Sequence, residues 1–67
     1  MEEASRTIGA RIREARKSAG LTQEQLAELA GTSTRTVRDI EKGTGTTSLG
    51  IVARVAEVVG LRLVADG

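Results

Sequence analysis

Side chains suited to binding a polyanion recur along one predicted helix in the middle of the chain. Arg35, Arg38 and Lys42 follow one another at three- and four-residue spacing, which places them on the same side of a helix. An arginine guanidinium donates two parallel hydrogen bonds that match a phosphate or the O6/N7 edge of guanine. Asp39 lies on the same helix, where its carboxylate either accepts from a cytosine amine or pairs with Arg35 four residues earlier.

The composition excludes several kinds of catalytic chemistry. The sequence has no His and no Cys, so neither a Ser–His nor a Cys–His nucleophile pair can be built. A zinc site would have carboxylates as its only charged ligands, which zinc rarely accepts. We therefore expect no enzyme activity, no cofactor and no metal. The net charge of +1 does not indicate a nucleic-acid partner by itself, so the positions of the charges carry that inference.

The length and the apolar content describe one small domain spanning residues 1–67. Hydrophobic residues make up 39% of the 67 residues, and none is aromatic, so the core must be aliphatic. Domains of this size often need disulfides, metals or oligomerisation for stability, and only oligomerisation is open to this chain. No apolar run is long enough to span a membrane, and the acidic start is unlike a signal peptide. The expected location is therefore cytoplasmic, with no membrane partner.

The apolar spacing predicts an all-α fold of four helices. The first helix is expected from about Ser5 to Ala19, and the second follows a capping box at Thr22. Ser33 and Ser48 are expected to cap a third helix over about residues 34–42 and a fourth over 49–59. The predicted inward-facing residues are Ile8, Ile12, Ala15, Ala19, Leu26, Leu29, Ala30, Val37, Ile40, Leu49, Val52, Val55, Ala56 and Val59.

The second and third helices have the spacing of a helix-turn-helix, at about residues 22–42. Ala27 lies four residues after Gln23 and is small enough for two helices to cross closely. Gly31, eight residues after Gln23, suits the positive φ of the tight turn. Val37 and Ile40 then seat the second helix of the motif on the core. The residues left facing outward are Thr34, Arg35, Arg38, Asp39 and Lys42.

The run from Arg13 to Glu41 resembles the phage-repressor (Cro/cI, or Xre) class of helix-turn-helix proteins. The resemblance is carried by Arg16-Lys17, by Gly20-Leu21-Thr22-Gln23-Glu24-Gln25-Leu26-Ala27 and by Leu29-Ala30-Gly31, and it extends through Ser48 and Leu49 to Gly60. It implies binding to the major groove of double-stranded DNA.

The resemblance also implies a role for individual residues. Gln23 would contact a phosphate, and Lys42 would reach the DNA backbone. Thr34, Arg35, Arg38 and Asp39 would face the major groove, with Ser33 and Thr36 beside them. Arg16 would pair with Glu41 and join the first helix to the end of the third. The other cations of the first helix, Arg11, Arg13 and Lys17, are interpreted as a solvated face.

The last residues change from helical to alternating spacing. Leu61, Leu63 and Ala65 fall on one side of a predicted short strand over about residues 61–66. A lone strand leaves its backbone groups unpaired, so we expect two copies to pair across a two-fold axis and form a homodimer. The same segment is similar to the C-terminal strand of antitoxins that partner HipA-type toxins.

Three classes of function are consistent with these patterns. The first is a sequence-specific transcriptional regulator, most simply a dimeric repressor that reads a palindromic operator. The second is an antitoxin that neutralises a cognate toxin and represses its own operon. The third is a protein-interaction module that does not bind DNA.

Overall fold

The computed structural model describes residues 2–45 and 47–61. Within these ranges the chain forms four helices and no strand: α1 (Glu2–Ser18), α2 (Gln23–Ala30), α3 (Thr34–Lys42) and α4 (Leu49–Val58). The four predicted helices are confirmed, and the bounds of α3 match the prediction. The first helix begins earlier than predicted because the apolar spacing starts only at Ile8, so the polar turn before it carries no periodic signal.

Hydroxyl side chains begin three of the helices, as predicted. Thr22 Oγ1 accepts from the amide of Gln25 at 3.0 Å, and Gln25 Oε1 accepts from the amide of Thr22 at 2.9 Å. This reciprocal pair satisfies two of the amides that an α-helix leaves free at its start. Ser33 and Ser48 accept single bonds at the starts of α3 and α4, at 3.1 and 3.3 Å. The helix starts are therefore fixed by local sequence.

Gly31 makes the tight turn between α2 and α3. Its φ of 69° lies in the left-handed region, where a side chain is strained. The turn closes with bonds from the Gly31 amide to the Glu28 carbonyl at 3.2 Å and from the Thr32 amide to the Ala27 carbonyl at 2.9 Å. Ala27 beside it is buried, with 3% of its surface exposed. The short connection therefore fixes the orientation of α3 relative to α2.

Each helix contributes one large, fully buried side chain to the core. These side chains are Ile12, Leu26, Val37 and Val55. Buried around them are the smaller or less central residues Ala27, Ala30, Ile40 and Ala56. The helix contacts that hold this core together are those of α1 with α3, α2 with α3, and α2 with α4.

Three residues predicted to face inward do not. Leu29 is 62% exposed, because it lies about 100° around the helix axis from the centre of the buried stripe on α2. Leu49 is 74% exposed, because a side chain on the first residue of a helix leans beyond its N-terminal end. Ala19 is also exposed, since α1 ends at Ser18.

The contact between α1 and α3 is close enough to bring backbone against backbone. Gly9 is buried, and a β-carbon placed on it would overlap the carbonyl oxygen of Ile40 and lie 2.7 Å from that of Glu41. A residue with a side chain at position 9 would therefore push the two helices apart. Sequence periodicity alone did not single out this glycine.

The predicted C-terminal strand lies almost entirely outside the described residues. Leu61 is described, and its amide donates to the carbonyl of Ala56 at 2.9 Å while its side chain packs against the core. Leu63 and Ala65, the other residues predicted to mediate dimerisation, lie beyond the described range. Among the described helices, none is long and apolar enough to cross a membrane.

Candidate nucleic-acid interface

One face of α3 carries cations and the opposite face is buried. Arg35, Arg38 and Lys42 are exposed, and we call these three residues the cationic face of α3. Val37, Ile40 and Glu41 are buried on the other side of the helix. Within the described part of the chain, no residue of the cationic face forms an ion pair or a hydrogen bond through its side chain. Their donors are therefore available to another molecule.

The hydroxyl residues at the start of α3 bond to one another. Ser33 Oγ accepts from the amide of Thr36 and lies 2.9 Å from Thr36 Oγ1. Ser33 is exposed, while Thr34 and Thr36 are half-buried. The arrangement anchors the N-terminus of α3 and fixes the hydroxyls of Ser33 and Thr36 there.

Asp39 is directed away from the arginine that precedes it by one turn. Its side chain is half-buried, and no ion pair joins it to Arg35 in the described structure. A β-carbon placed on Gly45 would lie 3.4 Å from Asp39 Oδ2, so the carboxylate is directed to the connection between α3 and α4. The pairing with Arg35 that the four-residue spacing allows is therefore not formed. The cationic face keeps its full positive charge.

A buried ion pair joins α1 to the last turn of α3. Arg16 Nε donates to Glu41 Oε2 at 2.7 Å, and Arg16 Nη2 donates to Glu41 Oε1 at 3.2 Å. The third guanidinium nitrogen, Nη1, donates to the carbonyl of Leu21 at 2.8 Å. The two side chains are 11% and 3% exposed. The structure thus brings together the two residues that the resemblance to phage repressors pairs.

Gln23 joins the same network from the start of α2. Its Nε2 donates to Glu41 Oε1 at 3.1 Å, and the residue is half-buried. A primary amide has a second N–H, which this bond leaves free. The contact between Gln23 and Glu41 was not predicted, because it depends on how α2 crosses α3.

A groove between three helices lies beside this network. It is lined by Arg13 of α1, Gln23 of α2, and Arg38, Glu41 and Lys42 of α3. Arg13 was predicted to belong to a solvated face. The signal that would have found it is its spacing, since it precedes Arg16 by three residues and so lies on the same side of α1.

Arg54 of α4 reaches the end of α2. Its Nη1 lies 3.5 Å from the carbonyl oxygen of Ala30, and a β-carbon on Gly31 would lie 3.7 Å from the same nitrogen. A cation beside the C-terminus of a helix interacts favourably with the helix dipole. No local pattern in the sequence indicated this contact, because it joins residues that are 24 positions apart.

Comparison with known proteins shows which family has this architecture. The helix-turn-helix family model matches residues 12–65, which is most of the chain. A relative from Methanothermobacter thermautotrophicus, named as an HTH-type transcriptional regulator, is 44% identical over 55 residues, covering 82% of this chain and 80% of the relative.

Two solved structures share the fold. The restriction-modification controller protein C.AhdI from Aeromonas hydrophila superposes with a TM-score of 0.79 and 31% identity, covering 91% of this chain and 88% of that one. The clp gene regulator ClgR from Corynebacterium glutamicum gives a TM-score of 0.76 and 28% identity, covering 87% of this chain and 62% of that one.

Proposed function

The chain belongs to the helix-turn-helix family as a transcriptional regulator of that type, and we propose that it reads specific sequences in duplex DNA through α3. The observation that carries the proposal is the cationic face of α3, whose three exposed cations have no partner within the described residues. An α-helix fits the major groove of B-form DNA, so these side chains would reach base edges and phosphates.

In this proposal some residues of α3 contact base edges and others contact the DNA backbone. Arg35 and Arg38 would form paired hydrogen bonds with guanine O6 and N7, each worth about 1–3 kcal/mol of discrimination between bases. Lys42, in the last turn, would contact the backbone. The resemblance to phage repressors assigns Thr34 to the major groove, with Ser33 and Thr36 beside it. It assigns Asp39 there as well, but the carboxylate of Asp39 is directed to Gly45, so a contact with a base would require this side chain to turn.

Gln23 would contact a phosphate through the amide N–H that Glu41 leaves free. The bond from Nε2 to Glu41 Oε1 supports this role, because it limits the rotamers of a flexible side chain at the start of α2. Glu41 does not repel DNA strongly in this arrangement, since Arg16 neutralises its buried carboxylate. The same ion pair fixes α3 against α1, so that base contacts are made in one orientation.

Alanine substitutions on the cationic face test the proposal. Duplex sites are first selected from random sequences, and Arg35→Ala and Arg38→Ala are then compared with the parent protein on the selected site and on single-base variants of it. We expect each substitution to relax discrimination at particular base pairs, with thermal unfolding unchanged because both residues are exposed. Arg11→Ala removes an exposed arginine of α1 and serves as the matched control.

The outcomes separate three interpretations. Uniform weakening across all sequences, with a smaller salt dependence, would mean that the arginines contact only phosphates. Parent-level affinity and specificity in both variants would contradict the assignment of α3 as the reading helix. Failure of the parent protein to select any duplex would favour the protein-interaction module.

We further propose that the regulator acts as a two-fold dimer joined through residues 61–66, reading a palindromic operator and repressing by occlusion. The packing of Leu61 on the core supports this, because the segment that follows starts from a fixed point. Two recognition helices about 34 Å apart would then meet successive major grooves.

Light scattering on the full chain and on a chain ending at Gly60 tests the dimer. A dimer that the truncation converts into a folded monomer is the expected result. A monomeric full chain at micromolar concentration, or a dimer that survives truncation, would contradict it. The antitoxin role is not part of this proposal, since no contact of the described residues favours a toxin partner over DNA.

A further inference from the structure

We propose that Arg13, Gln23 and Lys42 bind one backbone phosphate in a groove that Arg38 also lines, so that α1 holds the DNA backbone together with α2 and α3. The inference rests on the proposed DNA-binding function and adds to it a residue and a helix for which neither the spacing nor the resemblance gave a role in DNA binding. The ligand is a backbone phosphodiester of duplex DNA, with one negative charge and two oxygen atoms that accept hydrogen bonds.

The groove is lined by donors from three helices. Arg13, Arg38 and Lys42 are exposed and surround it, and Gln23 contributes a half-buried amide. Within the described residues, none of the three cations has an ion-pair partner. Three like charges around one groove raise the local positive potential, which attracts an anion.

The one acidic residue of the groove does not oppose an anion. Glu41 is 3% exposed, its Oε2 accepts from Arg16, and its Oε1 accepts from both Arg16 and Gln23. Arg16 therefore cancels the charge of Glu41 beneath the surface. The side chains that remain to meet an incoming phosphate carry three positive charges.

The shape and position of the groove favour a polymer backbone over a free phosphate. The groove is open rather than enclosed, and Arg38 and Lys42 belong both to it and to the cationic face of α3. DNA bound against α3 would therefore place its sugar-phosphate backbone next to this groove of the protein. Arg13 adds a cation from α1 to the two that α3 contributes to the groove.

A pair of charge-matched variants tests the contribution of Arg13. Arg13→Gln and Arg11→Gln each remove one exposed arginine from α1, but only Arg13 lines the groove. Binding to a short mixed-sequence duplex is measured over a series of salt concentrations, with thermal unfolding to show that both variants are folded. An Arg13→Lys variant restores the charge.

Loss of one phosphate contact has a defined signature. We expect Arg13→Gln to make the slope of log K against log salt less negative by about 0.9, which corresponds to about fivefold weaker binding near 0.15 M salt. We expect Arg11→Gln to keep the parent slope and Arg13→Lys to recover most of it. Neither prediction depends on the sequence of the operator.

Two results would overturn the inference while leaving DNA binding intact. The first is an unchanged slope in Arg13→Gln. The second is an equal loss in Arg13→Gln and Arg11→Gln, which would mean that the general charge of α1 acts at a distance. A parent protein that binds no duplex at any salt concentration would instead contradict the proposed function itself, and this inference with it.

Discussion

The contact of α1 with α3 and the contact of α2 with α4 hold the same small core by different means. Between α1 and α3, Gly9 lies against backbone carbonyls, and Arg16 donates two hydrogen bonds to Glu41. Between α2 and α4, Arg54 Nη1 donates one long bond of 3.5 Å to the carbonyl of Ala30, and the buried residues are aliphatic.

The two helix contacts differ more in how strictly they fix the orientation of the helices than in how much they stabilise the fold. Paired hydrogen bonds and backbone contact restrict the angle and the position of two helices, whereas aliphatic burial depends mainly on area. The helix proposed to read DNA is held by the directional contact. The fourth helix is held by burial and leaves Leu49 mostly in solvent. Substitutions at the two contacts should therefore have effects that differ in size and in kind.

The largest effect is expected from breaking the buried ion pair. Arg16→Met removes the positive charge and leaves Glu41 buried with Gln23 as its remaining donor. Breaking a buried pair in this way costs about 3–5 kcal/mol. We expect chemical denaturation to show a loss of that size in the free energy of unfolding, enough to unfold much of so small a domain.

The double variant Arg16→Met/Glu41→Leu is the control for charge. Replacing both partners by apolar residues leaves no buried charge, so most of the lost stability should return. A loss below about 1 kcal/mol in the single variant, against that benchmark for buried pairs, would mean that the pair behaves as a surface ion pair.

A smaller effect is expected from a methyl group at the α1–α3 contact. Gly9→Ala would force the helices apart, and overpacking of this kind costs about 1–3 kcal/mol. At about 4–8 °C per kcal/mol, thermal unfolding should detect it easily.

The same substitution in α4 separates the clash from the backbone effect. Gly50 is also helical, but a β-carbon there meets nothing within 4 Å. Gly50→Ala should therefore stabilise the protein by up to about 1 kcal/mol, because alanine favours the helix. If Gly9→Ala raised the melting temperature as Gly50→Ala is expected to do, the close backbone contact would be disproved.

The smallest effect is expected at the α2–α4 contact. Arg54→Ala removes a long bond from an exposed side chain, and such substitutions usually change the free energy of unfolding by less than about 0.5 kcal/mol. Urea unfolding measures this change in the free energy of unfolding, with Arg11→Ala in α1 as the control. A specific loss above about 1.5 kcal/mol, three times that bound, would show that the α2–α4 contact is directional too.

Local signals explain which parts of the fold could be predicted. Thr22, Ser33 and Gly31 act through neighbours no more than five residues away, so their types and spacing indicate the helix ends directly. The inward faces of α1 and α3 also follow from periodicity, as the burial of Ile12 and Val37 shows.

The angles at which helices cross explain the rest. Whether Leu29 is covered depends on which elements pack against α2. The apolar spacing of α2 does not specify those elements. The bond from Gln23 to Glu41 and the position of Arg13 at the groove likewise arise where three helices meet. Gly9 carries no local signal, because the sequence around a helical glycine is compatible with its facing either solvent or a neighbouring backbone.

The separation of Arg16 and Glu41 along the chain has a consequence for folding kinetics. The pair joins residues 25 positions apart, whereas the hydroxyl caps join residues three apart. Long loops cost entropy before their contacts form, so we expect α2 and α3 to assemble first and α1 to dock late. Contacts made after the transition state slow unfolding without speeding folding. The buried ion pair would then set the lifetime of the native state rather than the speed at which it is reached.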